Sequence, residues 1–285
     1  MTIGEILTAF FFAFLFILIL VPLWRMNKLQ LDRVRAMRKL EIKRGSRVIT
    51  LIHRQEALSM LGLPFFRYID MEDSEKILRA IRLTPPDTPI DLVVHTPGGL
   101  VLASEQIAHA LRRHRGKVSM MVPHYAMSGG TLIALATEEI LMDANAVLGP
   151  VDPQLQTAEG VFPATSLLAA VRQKEVADLE DSTLVMADVA MKAISQVRSF
   201  ILWLLDERMT PAQAERIASC LAEGTWTHDA PLTVEVLQEI GLPIVVGLPE
   251  EVYDLMDLYP QGRGRRPSVQ YIPIPYERKE DPKKS

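Results

Sequence analysis

The period of hydrophobic and polar positions changes repeatedly along this chain, and each change marks an element. Ile6 to Trp24 is uncharged and holds Phe10-Phe11-Phe12 and Phe14-Leu15-Phe16-Ile17-Leu18-Ile19-Leu20-Val21, long enough to cross a hydrocarbon layer of about 30 Å as a helix. The pattern then turns basic as far as Arg47, with Val34, Met37 and Leu40 near one helical face. Beyond it, short apolar runs alternate with helical spacings. Arg47 to Ile52 reads as a strand and Ser74 to Arg82 as a helix, after the loop Gly62-Leu63-Pro64 and the acidic turn Asp70-Met71-Glu72-Asp73. Ile90 to Val94 (strand), Leu100 to Arg112 (helix), Val118 to Val122 (strand) and Thr131 to Ala136 (helix) continue the alternation. Such an order predicts an α/β domain with a parallel sheet, whose ligands gather outside the carboxyl ends of the strands.

The second half is richer in helix. A strand through Val147-Leu148 leads into the rigid turn Gly149-Pro150-Val151-Asp152-Pro153. Helices follow at Ala164 to Val171, Thr183 to Leu205, Thr210 to Ala222 and Leu232 to Ile240, with Pro211 in a first turn and Gly224 and Gly241 as stops. On the longest, Met186, Val189, Ala190, Ala193, Ile194, Val197, Ile201 and Leu204 form the apolar stripe. From Tyr259 onward Pro, Gly, Arg and Lys dominate, which predicts disorder. The expected organisation is an anchor at 1–24, a basic juxtamembrane helix at 25–46, one domain at 47–258 and a tail at 259–285.

Composition narrows the function. At 285 residues and 48% apolar content the chain has ample material for a core, and its net charge of −4 argues against a nucleic-acid partner. Cys220 is the one cysteine, which excludes an intrachain disulfide and fits a reducing compartment. Glu5 is the sole charge before the apolar run and Leu23-Trp24-Arg25 is its exit, so the run reads as a retained membrane anchor rather than a cleaved signal. Arg25, Lys28, Arg33, Arg35, Arg38, Lys39, Lys43, Arg44 and Arg47 then outnumber Asp32 and Glu41, which puts the domain in the cytoplasm and the N-terminus outside. This basic stretch either lies on anionic lipid or is a solvated spacer. No metal-ligand spacing, Walker loop or dinucleotide fingerprint is present, so action without metal, cofactor or ATP is expected.

Two Gly-rich turns carry the candidate chemistry. His95-Thr96-Pro97-Gly98-Gly99 follows one strand, and Ala126-Met127-Ser128-Gly129-Gly130-Thr131 follows the next. At a strand-to-helix turn, backbone N–H groups are unpaired, so Ser128 either caps the helix or is presented beside donors that stabilise an oxyanion. These motifs, with Gly149-Pro150-Val151-Asp152-Pro153-Gln154, resemble the ClpP/SppA superfamily of serine peptidases, most closely its membrane-anchored serine dehydrogenase proteinase branch. The resemblance spans roughly Val48 to Gln154. It implies a ClpP/crotonase-like fold of repeated ββα units, Ser128 as nucleophile, an oxyanion hole from Gly98, Gly99 and Gly129, a peptide or protein substrate, and a homo-oligomer.

The base is less legible. No histidine lies between His124 and His228, where a ClpP-type histidine is expected, and the SppA branch uses a lysine. Lys174 matches that place loosely; the alternative for it is an exposed helix-end lysine beside Glu175. A lysine base needs burial or positive neighbours to lose its proton near neutral pH. Lys192 falls near Asp188 and away from the apolar stripe, as a solvated or oligomer-contact residue. His124 is too near Ser128 in the chain to reach back, and His95 is expected to brace the Gly-Gly turn. Two other classes stay open: a scaffold of the same fold without turnover, and a crotonase-type acyl-CoA enzyme, for which no basic cluster suits a CoA phosphate.

Overall fold

The computed structural model describes residues 3–54, 67–157 and 160–259. The elements run α1 (Ile3–Arg44), β1 (Arg47–Ile52), α2 (Met71–Arg82), β2 (Ile90–His95), α3 (Val101–Arg112) and β3 (Val118–Val122). Next come β4 (Tyr125–Ala126), α4 (Gly129–Leu135), β5 (Glu139–Met142), β6 (Val147–Leu148), β7 (Gln154–Gln156) and β8 (Val161–Pro163). The chain closes with α5 (Ala164–Val171), α6 (Asp181–Leu205), α7 (Pro211–Ala222), α8 (Val234–Ile240), β9 (Ile244–Val246) and α9 (Glu250–Asp257). The loop at Gly62-Leu63-Pro64 and the tail after Tyr259 lie outside the described residues.

A five-stranded sheet in the order β1-β2-β3-β5-β9 forms the frame, and all its pairs are parallel. Its strands are apolar on both faces because both are covered. Leu92, Val94, Met120, Val122, Ile140 and Met142 pack towards α3, α4, α6 and α7, in the larger core. Val93, Met121 and Leu141 alternate to the other face and meet Leu40 of α1 with Val252, Leu255 and Met256 of α9. The short parallel pair β4–β6 sits beyond the carboxyl end of β3, where it steers the chain into α4.

Local chemistry explains the boundaries. The expected acidic turn is a capping box: Asp70 accepts from the Asp73 N–H at 2.9 Å and the Asp73 carboxylate accepts from the Asp70 N–H, so α2 starts at Met71. Thr210 and Gln213 do the same for α7, with Pro211 at its first position. On α6 the expected stripe buries Ala190, Val197, Ile201 and Leu204, joined by Ala187 and Leu205, whereas Val189 is 41% exposed.

The expected transmembrane helix is not established by the structure: among the described residues no helix is long and apolar enough to cross a membrane. The backbone is one unbroken helix from Ile3 through Arg44, with exposed Phe11, Phe12, Phe14, Phe16 and Trp24 side chains near its start. Its last turns are docked. Lys43 pairs with Glu251 at 2.8 Å, Arg44 grips Asp91 through two bonds of 2.7 and 3.0 Å, and Arg33 lies 3.9 Å over the Tyr259 ring.

Candidate active site

The carboxyl ends of β2 and β3 bring the two Gly-rich turns together. Ser128 occupies φ 49° and ψ −112°, a left-handed conformation that costs a non-glycine residue about 1–3 kcal/mol. Its carbonyl accepts the Thr131 and Leu132 N–H groups and starts α4, but its side chain caps nothing. The hydroxyl is therefore not committed to the helix. Such a strained serine between a strand and a helix has the form of the sharp strand-to-helix turn that can expose a nucleophile.

The neighbouring turn fits against it. Gly98 has φ +103°, and a methyl group there would come within 2.8 Å of Ser128 Cβ and 2.9 Å of the Met127 carbonyl. Its N–H is spent on Thr96 Oγ1 at 3.2 Å. The Gly98 carbonyl and the Leu100 N–H both bond Ile69, so the intervening Gly99 N–H points the other way. Neither Gly99 N–H nor Gly129 N–H has an acceptor among the described residues.

His53, not His95, braces the Gly-Gly turn. Its Nε2 lies 3.0 Å from Asp73 Oδ2 and its Nδ1 2.9 Å from Thr96 Oγ1. The carboxylate can only accept, so Nε2 carries the proton, Nδ1 accepts from the Thr96 hydroxyl, and that oxygen accepts from Gly98. Although burial pushes the Asp73 carboxyl up, the His53 and Asp70 hydrogen bonds hold it below the usual carboxylate range. His95 is wholly buried, and neither ring nitrogen has a hydrogen-bond partner among the described residues. Burial first, then the charges of Arg54, His124 and His53, lower its pKa to about 4.

A family model described as ClpP-like SDH-type serine proteinase matches residues 1–285. The chain belongs to this family. Two proteins of Methanocaldococcus jannaschii are similar over nearly their whole length, both carrying the description uncharacterized protein. MJ1495 is 53% identical over 96% of this chain and 92% of its own. MJ0137 is 50% identical over 95% and 94%. Among solved structures, a variant of the 1510-N membrane-bound stomatin-specific protease aligns with a TM-score of 0.45 and 18% identity over 67% of this chain and 79% of its own. A second variant of that protease, in complex with a substrate peptide, gives 0.44 and 19% over 65% and 74%.

The other residues singled out in this serine proteinase from sequence do not join the two turns. Lys174 is exposed, in the turn after α5, without the buried setting that a lysine base requires. Lys192 is exposed on α6 and paired with Asp188 at 2.5 Å. His124 is exposed and makes ring contacts with Tyr125 and His95. Sequence reasoning passes over a different pair: His228 Nδ1 lies 2.8 Å from Asp152 Oδ1. Asp152 stands inside the Gly149–Gln154 motif, but its partner is 76 residues away in a plain loop.

Proposed function

We propose that this serine proteinase cleaves peptides or membrane-associated proteins through Ser128, without ATP or a cofactor. The observation that carries the reading is the Ser128 turn: a strained, uncapped serine packed against Gly98, with the Gly99 and Gly129 N–H groups free of acceptors among the described residues. In this reading Ser128 Oγ attacks the scissile carbonyl, and the two N–H groups receive the oxygen as it becomes an oxyanion. The bound N–H makes Gly98 a shaper of the turn rather than a donor. Its lack of a side chain leaves room for Ser128.

The substrate groove proposed is the open cavity of about 870 Å³ between α3 and α6, which starts at Val101 and Leu102, immediately after the Gly-Gly turn. Val101 and Leu102 are 48% and 58% exposed there, a setting for apolar peptide side chains. The run at Ile6–Trp24 is proposed as a single membrane span with the domain on the cytoplasmic side. It is supported by the uncharged sequence, the helical backbone, the exposed phenylalanines and the basic residues that follow.

A fluorophosphonate probe tests the chemistry. It is expected to label wild-type protein at Ser128, and Ser128→Ala is expected to abolish labelling and to reduce hydrolysis of unfolded casein by about a thousandfold or more without loss of the folded state. An unlabelled wild-type protein, or a Ser128→Ala variant that still hydrolyses casein, would return the chain to the scaffold or crotonase class.

A further inference from the structure

A line of hydrogen bonds runs from the start of α2 to the Gly-Gly turn through His53, whose side chain is 6% exposed. Asp73 Oδ2 accepts the Nε2 proton at 3.0 Å and also accepts the Asp70 N–H of the capping box at 3.2 Å. On the other side of the ring, Nδ1 accepts from Thr96 Oγ1 at 2.9 Å, and that oxygen accepts the Gly98 N–H at 3.2 Å. Thr96 is wholly buried, and its one hydroxyl proton has two acceptors within reach: His53 Nδ1 and, at 3.4 Å, the Gly98 carbonyl. A ring whose proton stays on Nε2 keeps the hydroxyl proton on the shorter bond.

Thr96 is also where the glycine turn meets the serine loop. Its N–H donates to the Tyr125 carbonyl at 3.1 Å, and its own carbonyl accepts from Met127, the residue before Ser128, at 2.9 Å. A methyl group at Gly130, in the first turn of α4, would meet Thr96 Cγ2 at 2.7 Å, so the threonine methyl rests on α4 while its hydroxyl faces His53. The Gly98 carbonyl accepts the Ile69 N–H at 2.7 Å. That carbonyl and the Gly99 N–H belong to one planar peptide, so whatever turns the carbonyl turns the N–H with it. A second donor on the carbonyl, from Thr96, would compete with Ile69 and draw the plane out of line.

We propose that His53 is a positioning residue for the oxyanion hole: by accepting the Thr96 hydroxyl proton it leaves the Gly98 carbonyl to Ile69 and holds the Gly99 N–H in line for the oxyanion. This rests on Ser128 being the nucleophile and the Gly99 N–H a donor to the oxyanion. His53 acts through Thr96 and touches neither the substrate nor Ser128. Asp73 fixes the tautomer, because a carboxylate can only accept and so draws the ring proton to Nε2. Since the oxyanion forms only as the scissile carbonyl is attacked, misalignment of the Gly99 N–H raises the barrier and leaves substrate binding as it was.

Two substitutions separate the two bonds of the ring. In H53N the amide oxygen stands near the place of Nδ1 and still accepts from Thr96; in H53Q the amide nitrogen stands near the place of Nε2 and still donates to Asp73, but nothing accepts from Thr96. With casein as substrate and full-length protein, H53Q is expected to lower kcat by about tenfold or more with KM within about twofold, and H53N to keep most of kcat. A role in folding alone would instead make the loss of activity follow the fall in melting temperature, whichever bond is removed. T96V, which lacks the hydroxyl, is expected to repeat the kcat loss of H53Q, and T96S, which keeps it, to retain most of the rate. Nitrogen NMR of histidine-labelled wild-type protein is expected to show His53 with its proton on Nε2, an arm that needs no variant to fold. An unchanged kcat in H53Q, a rise in KM in place of the fall in kcat, or a wild-type proton on Nδ1 would overturn the proposal. Fluorophosphonate labelling of the wild type separates the two readings: its absence at Ser128 removes the nucleophile, and this role for His53 with it.

Discussion

Burying His95 with no hydrogen-bond partner among the described residues carries a cost that depends on pH. Its ring faces Arg54, His53, His124 and Tyr125, so the surroundings are cationic or neutral and a second positive charge is unwelcome. The folded pKa is about 4 against 6.5 for the free side chain. Between these values the unfolded chain binds a proton that the folded chain refuses, so acidification through that window favours unfolding. Above about pH 6.5 neither state carries the proton and the loss is absent. The loss is complete only below about pH 4, and each tenfold difference in proton affinity between the two states corresponds to about 1.4 kcal/mol. Thermal melts at pH 7 and pH 5 are expected to show a smaller drop for His95→Phe than for wild type. Equal drops would locate the acid sensitivity in another group.

The short helix α4 links the serine turn to the rest of the core, and its two ends are treated oppositely. At the start, Ser128 leaves the Gly129 N–H without an acceptor among the described residues. At the other end, Arg208 closes the carbonyls: its guanidinium reaches Leu135 O at 3.2 Å, Ala136 O at 3.0 Å and Thr137 O at 2.9 Å, with Glu138 alongside at 3.0 Å. One cation thus satisfies three carbonyls that a helix terminus leaves open. Arg208→Ala is expected to destabilise the domain by about 2–3 kcal/mol, since hydrogen bonds to a charged group contribute about 1.5–3 kcal/mol and are not additive here. Arg208→Lys recovers little of it, because a lysine lacks the planar fork. Urea midpoints of the three proteins check this, and a midpoint unchanged in Arg208→Ala would mean that water replaces the guanidinium without loss.

The domain and its N-terminal helix are joined as one body rather than by a flexible spacer. Basic residues that the sequence leaves to lipid or solvent are partly committed to the domain: Lys39 faces Asp254 at 3.4 Å, Lys43 Glu251 and Arg44 Asp91. With Leu40 fully buried against α9, the last turns of α1 belong to the folded unit. At 42 residues α1 is about 63 Å long, twice a hydrocarbon layer. In the proposed topology the span would take its first half, and the second half would set the height of the domain above the membrane. Deleting residues 1–24 is expected to release folded protein from the membrane fraction, and protease added to intact spheroplasts is expected to spare the full-length domain. Digestion there, or a membrane-bound truncation, would reject this topology.

Much of this arrangement is written locally. Apolar runs of strand length, the helical spacings between them, the Thr210-Pro211 start of α7 and the two Gly-rich turns all depend on residues within a few positions of one another. The sequence alone therefore predicts the alternation of β1 through α4 and brings attention to Gly98, Gly99 and Ser128. Periodicity has no access to contacts made across the chain. The sheet gains β9 at its edge through pairing with β5, far upstream. The brace of the Gly-Gly turn is His53 rather than the adjacent His95, because β1 and β2 lie in a register that sets Ile52 beside His95. Lys174 lies exposed at a helix end, a matter of how α5 and α6 pack. His228 meets Asp152 across 76 residues through a single antiparallel bridge, and such a pairing exists only once the chain between them has folded.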